Sequence, residues 1–189
     1  MAREEFDEFA SGAVTRLYRA AYLMVGNHHQ AEDLSQEVLA RVYVAWPRIS
    51  GDPGGYAYRA LSNAVANQRR WRGRHPEVQL EATVDDHPAA SWEEGVLSRA
   101  EVVEALRALT PGQTAVVVLR YYADLTEAQT AHALNVSVGT VKSQTAKALA
   151  RLRELLGDDL DVTERPPSGD AEALGAPERL SPTMNGSAP

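Results

Sequence analysis

The run from Leu125 to Leu156, LTEAQTAHALNVSVGTVKSQTAKALARLRELL, constrains the fold more than any other part of this chain, because it contains two capped helices separated by only a short polar turn. Thr126 and Gln129 stand at capping-box spacing, so hydroxyl and amide each satisfy a free backbone N–H at a helix start. Ala128, Ala131 and Leu134 give that helix an apolar stripe. Asn135-Val136-Ser137 reads as a turn, with Ser137 as N-cap of a second helix running to about Leu156. Val141, Ala148, Leu149, Leu152 and Leu156 form its buried side, and the outward face carries Thr140, Lys142, Ser143, Gln144, Lys147 and Arg151. No acid falls between Glu127 and Glu154. This is a helix-turn-helix whose second helix offers hydroxyl, amide and ammonium groups to base edges and phosphates in a major groove. An amphipathic helix with a solvated basic face is the simpler reading, and two capped helices at this spacing weigh against it.

A formal net charge of −7 looks wrong for a nucleic-acid partner until it is mapped along the chain. Seven acids against two arginines lie beyond Gly157, so that segment holds five of the seven net charges. Residues 54–74 carry Arg59, Arg69, Arg70, Arg72 and Arg74 and no acid, whereas residues 77–104 carry eight acids against Arg99 alone. Positive potential is therefore concentrated on particular helices, with an acidic connector between them. The 189 residues, 44% of them hydrophobic, allow one domain or two small ones with packed cores. With no cysteine there is neither a disulfide nor a thiolate metal site, which fits a reducing cytosol. The acidic start MAREEFDEFA is no signal peptide, and no window approaches the ~18 apolar residues of a membrane span, so a cytoplasmic protein without membrane insertion is expected.

The helical period runs throughout, and no alternating strand stands out, so the expected fold is all-α. A first helix spans about Glu4 to Val25, with Phe6, Phe9, Ala13, Leu17, Ala20 or Ala21, and Met24 on one side. Gly26-Asn27 ends it and caps a second helix from His28 to about Trp46, whose stripe is Ala31, Leu34, Val38, Val42 and Ala45, and which Pro47 stops. Asp52 and Pro53 start a third helix reaching about Arg72. Residues 73–97, with two prolines, many acids and weak periodicity, read as a linker. A further helix from near Ser98 bears Val102, Leu106 and Leu109, and Thr110-Pro111-Gly112-Gln113 opens another that runs to about Ala123. This divides the chain into a three-helix domain at 4–74, a flexible acidic linker at 75–97, a four-helix domain at 98–157 and a disordered acidic tail at 158–189.

Taken together, AEDLSQEVLARVYVAW at 31–46, GDPGGYAYRALSNAVANQRRWR at 51–72 and LTEAQTAHALNVSVGTVKS at 125–143 resemble the extracytoplasmic-function sigma factors of bacterial RNA polymerase, of actinobacterial type. The resemblance covers nearly all of residues 5–156. It implies that the second helix docks on core RNA polymerase through Glu32, Asp33, Gln36 and Glu37; a solvated acidic face near a helix N-terminus is the plainer alternative. It implies that the third helix opens promoter DNA at the minus-ten element. Tyr56, Arg59, Asn63, Asn67, Arg70 and Arg74 share a face opposite Leu61 and Val65, and aromatic, amide and guanidinium groups together suit a single strand. Core packing is the alternative for Tyr56, Tyr58 and Trp71. Two glycines, Gly54 and Gly55, replace the larger residues common at the start of this helix and predict a looser first turn.

The resemblance further implies that Ser137, Gly139, Thr140, Lys142, Ser143, Lys147 and Arg151 read the minus-thirty-five duplex, Gly139 letting the backbone approach. Gln144 stands where many relatives have arginine, which removes a guanine-reading fork. Expected partners are core RNA polymerase, promoter DNA and an anti-sigma factor, with no cofactor and no small-molecule substrate. A response-regulator-type protein binding DNA as a dimer shares the same output domain, but it needs a receiver whose strand-helix alternation residues 1–75 lack. No enzyme is expected: adjacent His28 and His29 point about 100° apart on a helix and no metal or nucleophile motif accompanies them.

Overall fold

The computed structural model describes residues 2–75 and 99–157, and among these every regular element is helical. Apart from His75, the expected linker and the expected disordered tail lie outside the described residues. Helix α1 spans Ala2–Val25, α2 His28–Ala45 and α3 Pro53–Arg74; α4 spans Arg99–Arg107, α5 Pro111–Val117, α6 Glu127–Leu134 and α7 Val138–Leu156.

The helix starts follow from their caps. Asn27 accepts from the Gln30 N–H at 3.0 Å, and Ser137 from the Thr140 N–H at 3.0 Å. Both capping boxes close reciprocally: Thr126 Oγ1 accepts from Gln129 N at 3.1 Å while Gln129 Oε1 accepts from Thr126 N at 2.8 Å, and Thr110 and Gln113 do the same. Pro47 does not simply end α2: the chain tightens into a 3-10 turn, Trp46–Arg48, before the break.

Each apolar stripe finds its partner. Phe9, Ala13, Leu17, Ala20, Ala21 and Met24 of α1 are buried against Ala31, Leu34, Val38 and Val42 of α2 and Ala57, Leu61, Ala64 and Val65 of α3. The Phe6 ring meets Tyr43 and Trp46 edge-on at 4.9 and 5.4 Å, closing the open end of that bundle. In the second bundle Val141, Ala148, Leu149 and Leu152 line the buried side of α7. Ala128 departs from the expected α6 stripe. It is exposed, because α6 buries Thr130, Ala131 and Ala133 instead.

Two features exceed what periodicity shows. After Val117 the helix widens into a π-turn, Val118–Tyr122, in which the Ala123 N–H reaches back five residues to the Val118 carbonyl at 2.9 Å. The two bundles also touch. Most of their buried apolar side chains, from Phe9 to Leu152, belong to one contiguous cluster, while Val116, Ala131 and Val141 form a smaller one within the second bundle; α1 meets α4, α5 and the π-turn, and α3 meets α6.

Candidate nucleic-acid interface

At 100° per residue, Tyr56, Arg59, Asn63, Asn67, Arg70 and Arg74 fall within an arc of about 80° and extend ~27 Å along α3. All six are exposed, while Ala57, Tyr58, Leu61 and Val65 behind them are buried. The apolar back fixes the orientation of α3, and that orientation presents the polar stripe. The three aromatic side chains separate cleanly: Tyr58 is 4% exposed and is core, whereas Tyr56 at 39% and Trp71 at 42% are surface rings. Trp71 stacks on His75, ring centroids 4.7 Å apart.

Neighbouring arginines have different duties. Arg70 donates to Asn67 Oδ1 at 2.6 Å, which orients two members of the stripe together. Arg69, one residue earlier, turns inward and donates to the Met24 carbonyl at 2.6 Å near the end of α1. That carbonyl is one of the last in α1 and has no later turn to donate to it.

The first turn of α3 is held rather than loose, contrary to what Gly54 and Gly55 predict. Asp52 Oδ1 accepts from Gly54 N at 2.8 Å and Oδ2 from Gly55 N at 2.9 Å. Glycine serves the cap here, since a Cβ on Gly55 would lie 2.7 Å from Asp52 Oδ2.

On α2, Glu32, Asp33, Gln36 and Glu37 are all exposed. Glu37 is paired with Arg41 at 2.5 Å, so Glu32 and Asp33 carry more of the patch's uncompensated charge. A groove of about 260 Å³ joins this patch to the stripe, with Asp33, Glu37 and Arg41 on one wall and Asn67, Gln68 and Trp71 on the other.

On α7, Thr140, Ser143, Lys147 and Arg151 fall within an arc of about 80°. All are exposed. Their partners are local: Ser143 Oγ donates to the Thr140 carbonyl at 3.0 Å, and Arg151 pairs with Glu154 at 2.8 Å. The Ser137 hydroxyl is engaged as N-cap and lies 2.9 Å from Thr140 Oγ1. Lys142 is offset from this arc toward α6, where its ammonium lies 3.5 Å from Glu127. Gly139 is exposed, and among the described residues only Ser137 Oγ, 3.7 Å away, lies near a built Cβ, so none of them demands glycine there.

Where α3 meets α6, a crevice of about 750 Å³ opens between the bundles, with Arg48, Ser50, Tyr56 and Arg59 facing Ala128, Gln129 and His132. Sequence reasoning assigned no role to His132, which is exposed on the α3 side of α6 and whose Nε2 lies 3.1 Å from Arg59 Nη1. Among the described residues no cluster of three or more His, Asp or Glu could hold a metal ion, and no helix is long and apolar enough to cross a membrane.

Comparisons agree with this layout. The sigma-70 region 2 family matches residues 13–75 and the sigma-70 region 4 family residues 105–154. Region 2 thus occupies the half of the chain where a response regulator needs its receiver. The chain is 38% identical to the RNA polymerase sigma-E factor of Streptomyces coelicolor over 84% of its own length and 90% of that protein's. It is 31% identical to the ECF RNA polymerase sigma factor SigM of Mycobacterium tuberculosis, over 82% of its length and 79% of that protein's. Among solved structures, the sigma factor RpoE of Bartonella quintana, crystallised with the anti-sigma factor NepR, superposes with a TM-score of 0.74 at 25% identity, covering 82% of this chain and 99% of that one. CnrH, solved with the cytosolic domain of CnrY, shares the fold at a TM-score of 0.57 and 21% identity, covering 82% of this chain and 88% of that one. With regions 2 and 4 matched in order along a helical chain, the protein belongs to the sigma-70 family of RNA polymerase sigma factors, in its extracytoplasmic-function branch.

Proposed function

We propose that this protein binds core RNA polymerase and directs promoter-specific initiation, with α3 trapping one strand of the minus-ten element and α7 reading the minus-thirty-five duplex. The observation that carries the reading is the exposed stripe from Tyr56 to Arg74, held outward by a buried apolar back. Unpairing costs a few kcal/mol per base, and ~1–3 kcal/mol per stacked base offsets it. Tyr56 supplies a stacking ring, Asn63 and Asn67 supply amides for base edges, and Arg59, Arg70 and Arg74 follow the phosphates. On α7, Thr140, Ser143 and Lys147 face the groove, while Arg151, and Lys142 once freed from Glu127, contact phosphate.

Docking on the polymerase falls to Glu32, Asp33, Gln36 and Glu37 of α2, matched to a basic partner surface. The protein acts in the cytoplasm, without a catalytic site, cofactor or small-molecule substrate; its effect is binding energy shared between two regions. An anti-sigma factor is a further partner, a proposal supported by the complex with NepR in which the similar RpoE was solved.

Run-off transcription with purified core polymerase on genomic promoter fragments tests this directly. Added protein is expected to yield discrete promoter-dependent transcripts, and replacing Lys142 and Lys147 by alanine to reduce the salt slope of duplex binding by about 1–2. Transcripts unchanged by the protein contradict the reading.

A further inference from the structure

We infer that Lys147 is a site of Nε-acylation, at which an activated acyl donor, a thioester or an acyl phosphate, weakens duplex reading by α7 and leaves the other surfaces of the chain untouched. The inference rests on the duplex-reading role of α7 proposed above. Its first support is where the side-chain amines are. Of the 19 lysines and arginines in the chain only two are lysines, Lys142 and Lys147, and both stand on α7. Every cation of the α3 stripe is an arginine, as are Arg69, Arg107 and Arg120, which bind backbone carbonyls inside the fold. A guanidinium stays protonated and offers no lone pair to a carbonyl carbon, whereas a lysine amine that has lost its proton attacks one. Side-chain acylation is therefore confined to the duplex-reading helix.

The structure separates the two lysines. Lys142 leans toward α6, its ammonium 3.5 Å from Glu127 Oε2, and gives up that ion pair when it is acylated. Lys147 is exposed, and among the described residues it has no ion-pair partner. It stands one turn beyond Ser143 and one turn before Arg151 on the groove-facing arc. Ala148, Leu149 and Leu152 form the buried side of the helix, so an acyl group on Lys147 Nζ projects away from the core.

In the reaction the neutral Nζ of Lys147 attacks the acyl carbon. A C–N bond forms while the C–S bond of the thioester or the C–O bond of the acyl phosphate breaks; thiol or inorganic phosphate leaves, and the proton displaced from nitrogen passes to water. Nothing is oxidised or reduced. The amide so formed is uncharged, which removes one cation from the duplex-reading face. The acidic face of α2 and the stripe of α3 carry no lysine, so polymerase docking and strand contacts persist.

The full-length protein is treated with acetyl phosphate in one sample and acetyl-coenzyme A in another, and the modified lysine is located by peptide mass spectrometry. Each sample is then assembled with core polymerase, and retention of genomic promoter fragments is measured across a salt series. Acetylation is expected faster at Lys147 than at Lys142 with at least one donor, and the donor that acts identifies the source. Promoter retention is expected to fall severalfold, with a salt slope smaller by about 1 and an unchanged core pull-down. Glu127→Gln should raise the rate at Lys142 toward that at Lys147, and promoter DNA added before the donor should slow the reaction at Lys147. Lys147→Arg protein, compared only with itself, is expected to bind equally before and after treatment, whereas Lys142→Arg protein keeps the drop. No acetylation of Lys147 by either donor, faster reaction at Lys142, or unchanged retention once Lys147 is fully acetylated overturns the inference alone. Failure of the untreated protein to retain promoter fragments with core sinks the duplex-reading assignment and the inference with it.

Discussion

Gly55 sits where any side chain would collide with the carboxylate that starts its helix: Asp52 Oδ2 accepts from the Gly55 N–H at 2.9 Å, and an added Cβ would lie 2.7 Å from that oxygen. Asp52→Ala is expected to cost ~1 kcal/mol, the usual worth of an N-cap, and to lower Tm by a few degrees. Gly55→Ala is expected to destabilise by a similar amount despite the better helix propensity of alanine, because the cap must shift. Thermal melts of the two variants check both, and a stabilised Gly55→Ala protein contradicts the geometry.

Arg69 and Arg70 are adjacent and are expected to behave oppositely. Losing the Arg69 bond to the Met24 carbonyl leaves a helix-end carbonyl short of a partner, so Arg69→Ala should lower stability by roughly 1–3 kcal/mol. Arg70→Ala should leave the melt unchanged within ~0.5 kcal/mol and weaken single-strand binding. Denaturant unfolding beside anisotropy on both variants separates the two roles.

Thr130 is fully buried in α6, and its hydroxyl oxygen has no hydrogen-bond partner among the described residues. A buried hydroxyl left unpaired costs about 1–3 kcal/mol, and valine has nearly the same shape. Thr130→Val is therefore expected to stabilise the protein by up to that amount, with duplex binding unchanged. A destabilised variant on urea titration would mean that the hydroxyl has a partner in solution.

Tyr58 gives the fold an alkaline limit. Burial, and next to it the proximity of Tyr122, pushes its phenol well above the ordinary value; Arg16 acts weakly the other way. Burial pushes Tyr122 up as well, against the opposing pull of Arg19 and Arg16. The folded chain thus holds protons that the unfolded chain releases near pH 10, so stability is fully present below that value and declines as pH rises toward the folded-state values. The slope approaches about 1.4 kcal/mol per pH unit for each phenol kept protonated. Comparing urea midpoints at about pH 8 and pH 11 should show the loss, and Tyr58→Phe should flatten it.

Local rules carried far in this chain. Thr126, Ser137, Thr110 and Asn27 were legible as caps, because capping depends on a few adjacent residues, and the stripes of α1, α2 and α7 were legible because burial follows the helical period. The stripe on α3 was visible for the same reason. What periodicity left hidden depends on contacts between elements. The π-turn at Val118–Tyr122 changes helical phase without a sequence mark such as proline. Ala128 turns to the crevice, Lys142 pairs with Glu127, and Arg69 reaches Met24, each through a neighbour whose position only the packed bundles define. His132 is not legible in the sequence, because a lone exposed histidine carries no motif; its contact is with Arg59, 73 residues earlier in the chain.

In the proposed function α3 opens promoter DNA while other surfaces hold the polymerase. Permanganate footprinting of a promoter with purified core and this protein, run beside a core pull-down, tests it most directly. Reactive thymines are expected in the melted segment, reduced about fivefold or more by Arg59→Ala or Asn67→Ala, the loss of ~1–3 kcal/mol of strand contact, with core retention unchanged. Undiminished reactivity in both variants, or core binding lost in step with melting, would contradict it.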